Sequence, residues 1–407
     1  MNNNVDRHLL KLTGHPNPTL PSFTWDLSHC LELAGKDSRR AGLKSEGEHP
    51  YIAETFETMR ETGRKWQRGK GWKELKDMAK KNSNEDFEDL ASYENQEELA
   101  MKQPRTQKPF CQTRFTTYLS EVIDAHRVNY PLVYKLMSKN DDGALIKIAD
   151  VPFILRMNGL YDFYEDLGSL SRTLQRPDIF TWQIEESIDD ALDRFANMRS
   201  EFLGTKEPEL TKNFHNAVAE LSHRGSHKRC PIPGRYLTIT TAASEDGNNR
   251  YKLKNSGYDA AINDTRKELA SHVESFSNMF LDRVQEAQPQ VLKWTRNVFA
   301  LRDIVNRPSD CCPRWLNKLY NESKLAGLYE ADVSFETVEE EYHAFVKEIQ
   351  RLHDVHVQRR QTEDGRVTDQ TIYMEMLRNP SGQPHVMDML ASSIGRTYCE
   401  AITEGIP

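Results

Sequence analysis

Apolar positions recur at helical spacing in four long stretches of this chain. Phe115, Leu119, Val122 and His126 share one stripe; Ile184, Ile188, Leu192 and Phe195 form a second, opened by Pro177 and closed near Gly204. A third passes through Tyr258, Ile262, Leu269, Val273, Phe276, Phe280 and Val284 and stops before Pro289. In the fourth, Phe335, Val338, Tyr342, Phe345, Ile349 and Leu352 alternate three and four apart, an amphipathic, coiled-coil-like seam. Each stripe predicts a helix with one packing face. The first is expected to break at Tyr130-Pro131, because proline disfavours helix for the residue before it.

Strand signals are few. RYLTITT (235–241) and NRYKLK (249–254), separated by EDGNN with its Asp-Gly, predict one hairpin. Shorter candidates lie near Phe23 and over 144–148. A nuclease sheet of the ribonuclease H kind needs about five strands of ~5–6 residues, and nothing before Asp26 is long enough to supply them.

Composition narrows the class. With 407 residues, 37% hydrophobic content and a mean hydropathy of −0.73, a slender helical protein with much solvated surface is expected rather than one thick core. No window approaches the ~18 consecutive apolar residues of a membrane helix, and MNNNVDRHLLKL lacks the pattern of a secretory leader. The six cysteines are scattered without a C-x-x-C pair, which suits a reducing compartment. No phosphate-binding glycine loop or serine-nucleophile motif occurs, so neither nucleotide hydrolysis nor acyl transfer has a handle.

The net charge of −8 argues against a protein that coats nucleic acid with its whole surface. Charge is uneven, however. Residues 60–81 carry nine Lys or Arg against three acids, with Trp66 and Trp72 interleaved, and residues 85–98 carry seven acids and no base. Two readings are open: a solvated basic turn beside an acidic loop, or a phosphate-contacting patch with stacking aromatics that includes Arg64, Lys65, Arg68 and Lys70.

Other chemistry is sparse. Asp26 and His29 stand three apart after Trp25, which fits a helix cap with a hydrogen-bonded histidine. His223, His227 and Cys230 have spacing for three zinc ligands, without an evident fourth. His353 and His356 sit at i, i+3 among Arg351, Arg359 and Arg360, which reads as a solvated face. Cys311-Cys312 before Pro313 reads as a helix boundary.

Four segments, taken in order, resemble the second half of a hAT-type (hobo/Activator group) transposase: Trp25-Asp26-x-x-His29, CQTRF (111–115), DFYEDLGSLSRTLQ (162–175) and EAITEGIP (400–407). Asp26 and His29 match that family's C/D-x-x-H element. Arg114 matches the basic residue of an R-W element, with Phe115 in place of tryptophan, and the third segment resembles a helix-turn-helix of the insertion domain. The last would place the catalytic-type carboxylate at Glu404.

The resemblance implies a mainly α fold: an elongated helical insertion domain, a remnant of a ribonuclease H-like α/β core at the two ends, and one small β-hairpin. Its boundaries would be 1–40 for the remnant with the D-x-x-H element, 41–385 for the insertion (a charged loop about 60–105, the hairpin about 235–254), and 386–407 for a truncated C-terminal helix of the core. Two-metal strand transfer needs carboxylates converging on ions about 3.5–4 Å apart. With Glu404 alone of that trio in view, it is expected to be vestigial and the chain is not expected to cut DNA; Mg²⁺ is expected only if carboxylate-bearing strands lie upstream.

The implied role is residual DNA contact and self-association in the nucleus or cytoplasm, with no membrane, no secretion and no small-molecule cofactor. Trp25, Asp26 and His29 would line the rim of a former active site, and Arg114 would contact a phosphate or pair with an acid. Phe23, Trp25, Leu31 and Leu33 would be partly exposed and favour a homo-oligomer. A helical protein–protein scaffold without DNA contact is the alternative, favoured by the acidic balance and the 335–352 seam; part of an active transposase is the third.

Overall fold

Apart from Phe115, which lies outside the described residues, the four apolar stripes lie on helices in the computed structural model, which describes residues 27–44, 50–85, 104–106, 116–140, 142–175, 180–232, 239–242, 250–253, 256–287, 291–308, 313–325, 332–360, 369–378 and 383–393. Two compact units divide the chain, one of residues 31–172 and 191–281, the other of 1–30, 173–190 and 282–407.

The first unit holds most of α1 (Leu27–Lys44), then α2 (Pro50–Trp66), α3 (Gly69–Glu85), α4 (Thr116–Lys139), α5 (Leu145–Ile148) and most of α6 (Val151–Leu174). It continues with the later part of α7 (Thr181–Phe202), α8 (Lys212–Arg224) and most of α9 (Ser256–Ala287). Helix α6 is its centre, with seventeen buried residues. Buried residues occupy most of its circumference, with Glu165, Ser169 and Arg172 exposed, so it shows little amphipathicity. Phe163 packs edge-on against Tyr164 and Phe276, with ring centroids 5.1 and 5.2 Å away. At Gly159 a methyl group would stand 2.5 Å from Leu269 Cδ1, so the missing side chain is what admits α9 so close.

Polar groups buried here close helix ends. Thr211 precedes α8 but makes no side-chain cap. Asp162 of α6 reaches across instead, accepting from Phe214 N at 2.9 Å and Asn213 Nδ2 at 2.6 Å. Glu201 of α7 accepts from the main-chain N–H groups of Leu210 and Thr211, both at 2.9 Å. Orphan helix N–H groups are thus met from neighbouring helices.

Helix α4 runs unbroken through Pro131, against the expected break. Proline leaves the Arg127 carbonyl without its i+4 donor, and the Lys228 ammonium fills that place at 3.2 Å. Lys228 lies in a tight hairpin of β1 (Ser226–His227) and β2 (Cys230–Pro231), whose turn residues Lys228 and Arg229 take φ of 45° and 62°. Glu220 pins that turn by accepting from Lys228 N at 3.0 Å while facing His227 Nδ1 at 2.8 Å. The predicted hairpin is also present, as β3 (Ile239–Ala242) antiparallel to β4 (Arg250–Leu253), with Thr240 opposite Lys252. Among the described residues, two hairpins therefore stand where one was expected.

The second unit holds α10 (Val291–Phe299), α11 (Leu301–Val305), α12 (Arg314–Leu325), α13 (Phe335–Arg360), α14 (Asp369–Arg378) and α15 (Pro384–Ser393). Phe180 stacks on Trp182 with centroids 4.6 Å apart, and both join a core with Phe299, Phe345 and Tyr373. Arg307 donates from Nη2 to the Asn297 carbonyl at 2.6 Å, satisfying the end of α10. Glu341 of α13 accepts from the N–H groups of His385 and Val386, at 2.9 and 3.2 Å, and so caps α15.

Several expectations are corrected. Residues 144–148 form no strand, and α5 occupies 145–148. Residues 162–174 are the end of one helix rather than a helix-turn-helix. The charged loop placed over about 60–105 is, through residue 85, the paired helices α2 and α3. Val338, Tyr342, Phe345, Ile349 and Leu352 are all buried in their own unit's core, so the seam that favoured a scaffold is consumed within the chain. Leu31, expected to be partly exposed, is fully buried.

Candidate nucleic-acid interface

Helices α2 and α3 are in contact and joined by a two-residue turn, and glycine is what allows it. Gly69 takes φ +63°, and a Cβ on Gly71 would lie 2.0 Å from the Lys65 carbonyl oxygen. No other residue fits there without moving main chain. Trp66, Leu75 and Ala79 are buried beneath the turn. Solvent receives the rest: Arg64, Lys65, Arg68, Lys70, Lys73, Lys76, Lys80 and Lys81 are all exposed. Positions 73, 76 and 80 share one helical face, since residues three and four apart are neighbours on a helix.

Local acids offset part of this charge. Lys65 pairs with Asp142, which lies just past α4 and whose carboxyl is held below its ordinary range, first by that lysine's hydrogen bond. Lys147 approaches Glu61 at 3.5 Å, and Lys70 lies 3.8 Å from Glu74. Such exposed pairs are worth about 0–1 kcal/mol. Lys76 stands over the half-buried Trp72 ring, 5.6 Å from its centroid.

The same unit adds further cations at the end of α4. Tyr134 donates its hydroxyl to the Pro231 carbonyl at 2.7 Å, which fixes the β1–β2 turn against the last two turns of that helix. Lys135, Lys139 and Arg229 are exposed around this junction. Asp142, carrying Lys65, follows a few residues later, so both cationic groups are anchored to one helix end.

Of the residues singled out in the sequence, Arg64, Lys65, Arg68 and Lys70 come together on the α2–α3 turn. The companion idea of stacking aromatics does not hold for Trp66, which is fully buried and cannot meet a base. Trp25, Asp26, Arg114 and Glu404 lie outside the described residues, as do Phe23, Cys311, Cys312 and the acidic segment from 86 onwards. His29 lies on α1, with its side chain outside the description. Lys73, Lys76 and Lys80 were not singled out, although their three-and-four spacing marks one face.

Of the three residues with zinc-like spacing, His223 has its side chain outside the described residues, His227 Nδ1 faces Glu220, and burial pushes the Cys230 thiol up to about 12. Among the described residues, no group of three or more His, Cys, Asp or Glu side chains could hold a metal ion. The solvated face proposed for His356 is also corrected: its Nε2 lies 2.7 Å from Glu375 Oε2, joining α13 to α14. Among the described residues no helix is long and apolar enough to cross a membrane.

No protein-family model, curated protein or solved structure matches this chain.

Proposed function

We propose that this chain is a DNA-contacting helical protein derived from a hAT-type transposase, and that the α2–α3 turn tracks the phosphate backbone. The observation that carries the reading is the exposed row Arg64, Arg68, Lys70, Lys73, Lys76 and Lys81 on a turn whose apolar side is buried. A rigid helical edge holds these cations at fixed spacing, so little ordering cost accompanies binding. Phosphate contacts of this kind position a duplex without reading its sequence. The overall charge of −8 confines the contact to this local surface.

Descent from the transposase family is supported by the order of the segments around Asp26 and His29, Arg114 and Glu404. The reading assigns DNA contact to the described residues and no catalytic step to them. Self-association and a nuclear site of action belong to the same proposal.

Fluorescence anisotropy with a labelled duplex tests it. Affinity is expected to fall steeply between about 50 and 200 mM salt, as counterion release requires. Absence of binding to any duplex or hairpin end at low salt removes the reading. Magnesium-dependent cleavage that is lost in Glu404→Gln would replace it with an active nuclease. Light scattering checks self-association, which a monodisperse monomer at high concentration would contradict.

A further inference from the structure

In the second unit, Trp294 of α10 and Trp315 of α12 lie with ring planes 13° from parallel and centroids 6.4 Å apart. Both are only partly buried, packed against the core without being enclosed by it. Two exposed cations attend them. Lys318 Nζ stands 4.7 Å from the Trp315 centroid and 5.3 Å from that of Trp294, and the Arg314 guanidinium lies 4.2 Å from Trp315. Arg314 and Lys318 flank Trp315 at i−1 and i+3 on α12, so one helix presents the ring together with both charges.

The charge decides what such a pair can take. A cationic ligand is repelled, because Arg314 and Lys318 already occupy the ring faces. An uncharged apolar segment would strand both cations. A group that couples a flat aromatic ring to a negative charge satisfies everything at once: the ring replaces the cation over the indole, and the displaced ammonium or guanidinium meets the anion. An unpaired nucleotide has that chemistry, and indole stacking is tolerant of which base it meets. A base inside a duplex is already stacked and offers no free face.

We infer that Trp294, Trp315, Arg314 and Lys318 form a stacking platform for unpaired bases of a single-stranded nucleic acid. The platform uses other residues than the duplex contact proposed for α2–α3, so the two stand or fall separately.

Titrating the full chain with a 15-residue oligo-dT, following both tryptophan emission and anisotropy, tests the inference. Emission is expected to quench, and Trp315→Ala and Lys318→Glu are each expected to weaken oligo-dT binding about tenfold, while Lys73→Glu/Lys76→Glu lowers duplex affinity and spares the quenching. Circular dichroism verifies that Trp315→Ala is folded; Lys318→Glu, at an exposed position, keeps the test valid if it is not. The platform is overturned if the wild-type chain does not bind oligo-dT, if Lys318→Glu binds it as well as wild type, or if thymidine monophosphate alone binds as tightly as the strand.

Discussion

The Lys228 ammonium donates to the Arg127 carbonyl, 3.2 Å away, and this is the carbonyl that Pro131 leaves without its helical donor. A residue in a surface hairpin thus completes a helix 101 positions earlier in the chain. Losing that donor leaves a partly buried carbonyl unmet, at about 1–2 kcal/mol. Lys228→Met should therefore lower unfolding stability by that amount in urea titrations. Adding Pro131→Ala should recover much of it, because an N–H then returns to the carbonyl; additive losses would contradict the pairing.

Burial shifts two groups of the first unit in opposite senses. It pushes the Asp162 carboxyl up from 3.8 to about 7, against the hydrogen bonds it accepts from Asn213 and Phe214, and it lowers His126 from 6.5 to about 4. Folded Asp162 keeps its proton where the unfolded chain has lost it, so its contribution is present below 3.8 and is lost as pH rises through about 7. Folded His126 stays neutral where the unfolded imidazole is charged, so its contribution is present above 6.5 and is lost as pH falls through about 4. The slopes oppose each other across the shared window. His126→Gln should remove one of them, so that the wild-type advantage over this variant shrinks as the medium is acidified from pH 6.5 to 4. A difference independent of pH would contradict the assignment.

Gly71 holds the cationic turn. A methyl group there would sit 2.0 Å from the Lys65 carbonyl oxygen, a main-chain atom that cannot swing aside. Gly71→Ala should cost roughly 2–4 kcal/mol through forced backbone displacement and weaken duplex binding along with it. Unchanged melting and binding would show that the turn is not the constraint.

Phe345 is fully buried in the second unit, in edge contact with Phe299 at 5.9 Å. Phe345→Ala should destabilise by about 3–5 kcal/mol in chemical denaturation. If the 335–352 seam instead joined two chains, the same change would alter association while leaving the isolated chain's stability intact.

Much of the helical order was legible because apolar spacing and packing agree: Ile188, Phe195, Val273, Phe276, Tyr342 and Ile349 are inward on helices where the periodicity puts them. The first misreading came from a local rule overruled by a distant partner, since nothing near Pro131 announces Lys228. The β1–β2 turn was invisible for a related reason. Lys228 and Arg229 are not residues that favour positive φ, and Glu220 supplies what glycine or asparagine normally would. For the site, the basic composition of 60–81 was plain, but exposure was not. Trp66 and Trp72 look alike in sequence, and only packing separates the buried ring from the half-buried one. Trp294 and Trp315, 21 positions apart, gave no local signal and meet only because α10 and α12 pair.

The direct test of the account compares wild-type chain with Lys73→Glu/Lys76→Glu, two exposed changes, by duplex binding across a salt series. Each neutralised phosphate contributes about −0.9 to the slope of log affinity against log salt. The wild-type slope should be steep and the variant's shallower by about 2, with weaker binding at every salt concentration. Identical slopes and affinities for the two proteins would contradict the claim that the α2–α3 turn contacts phosphate.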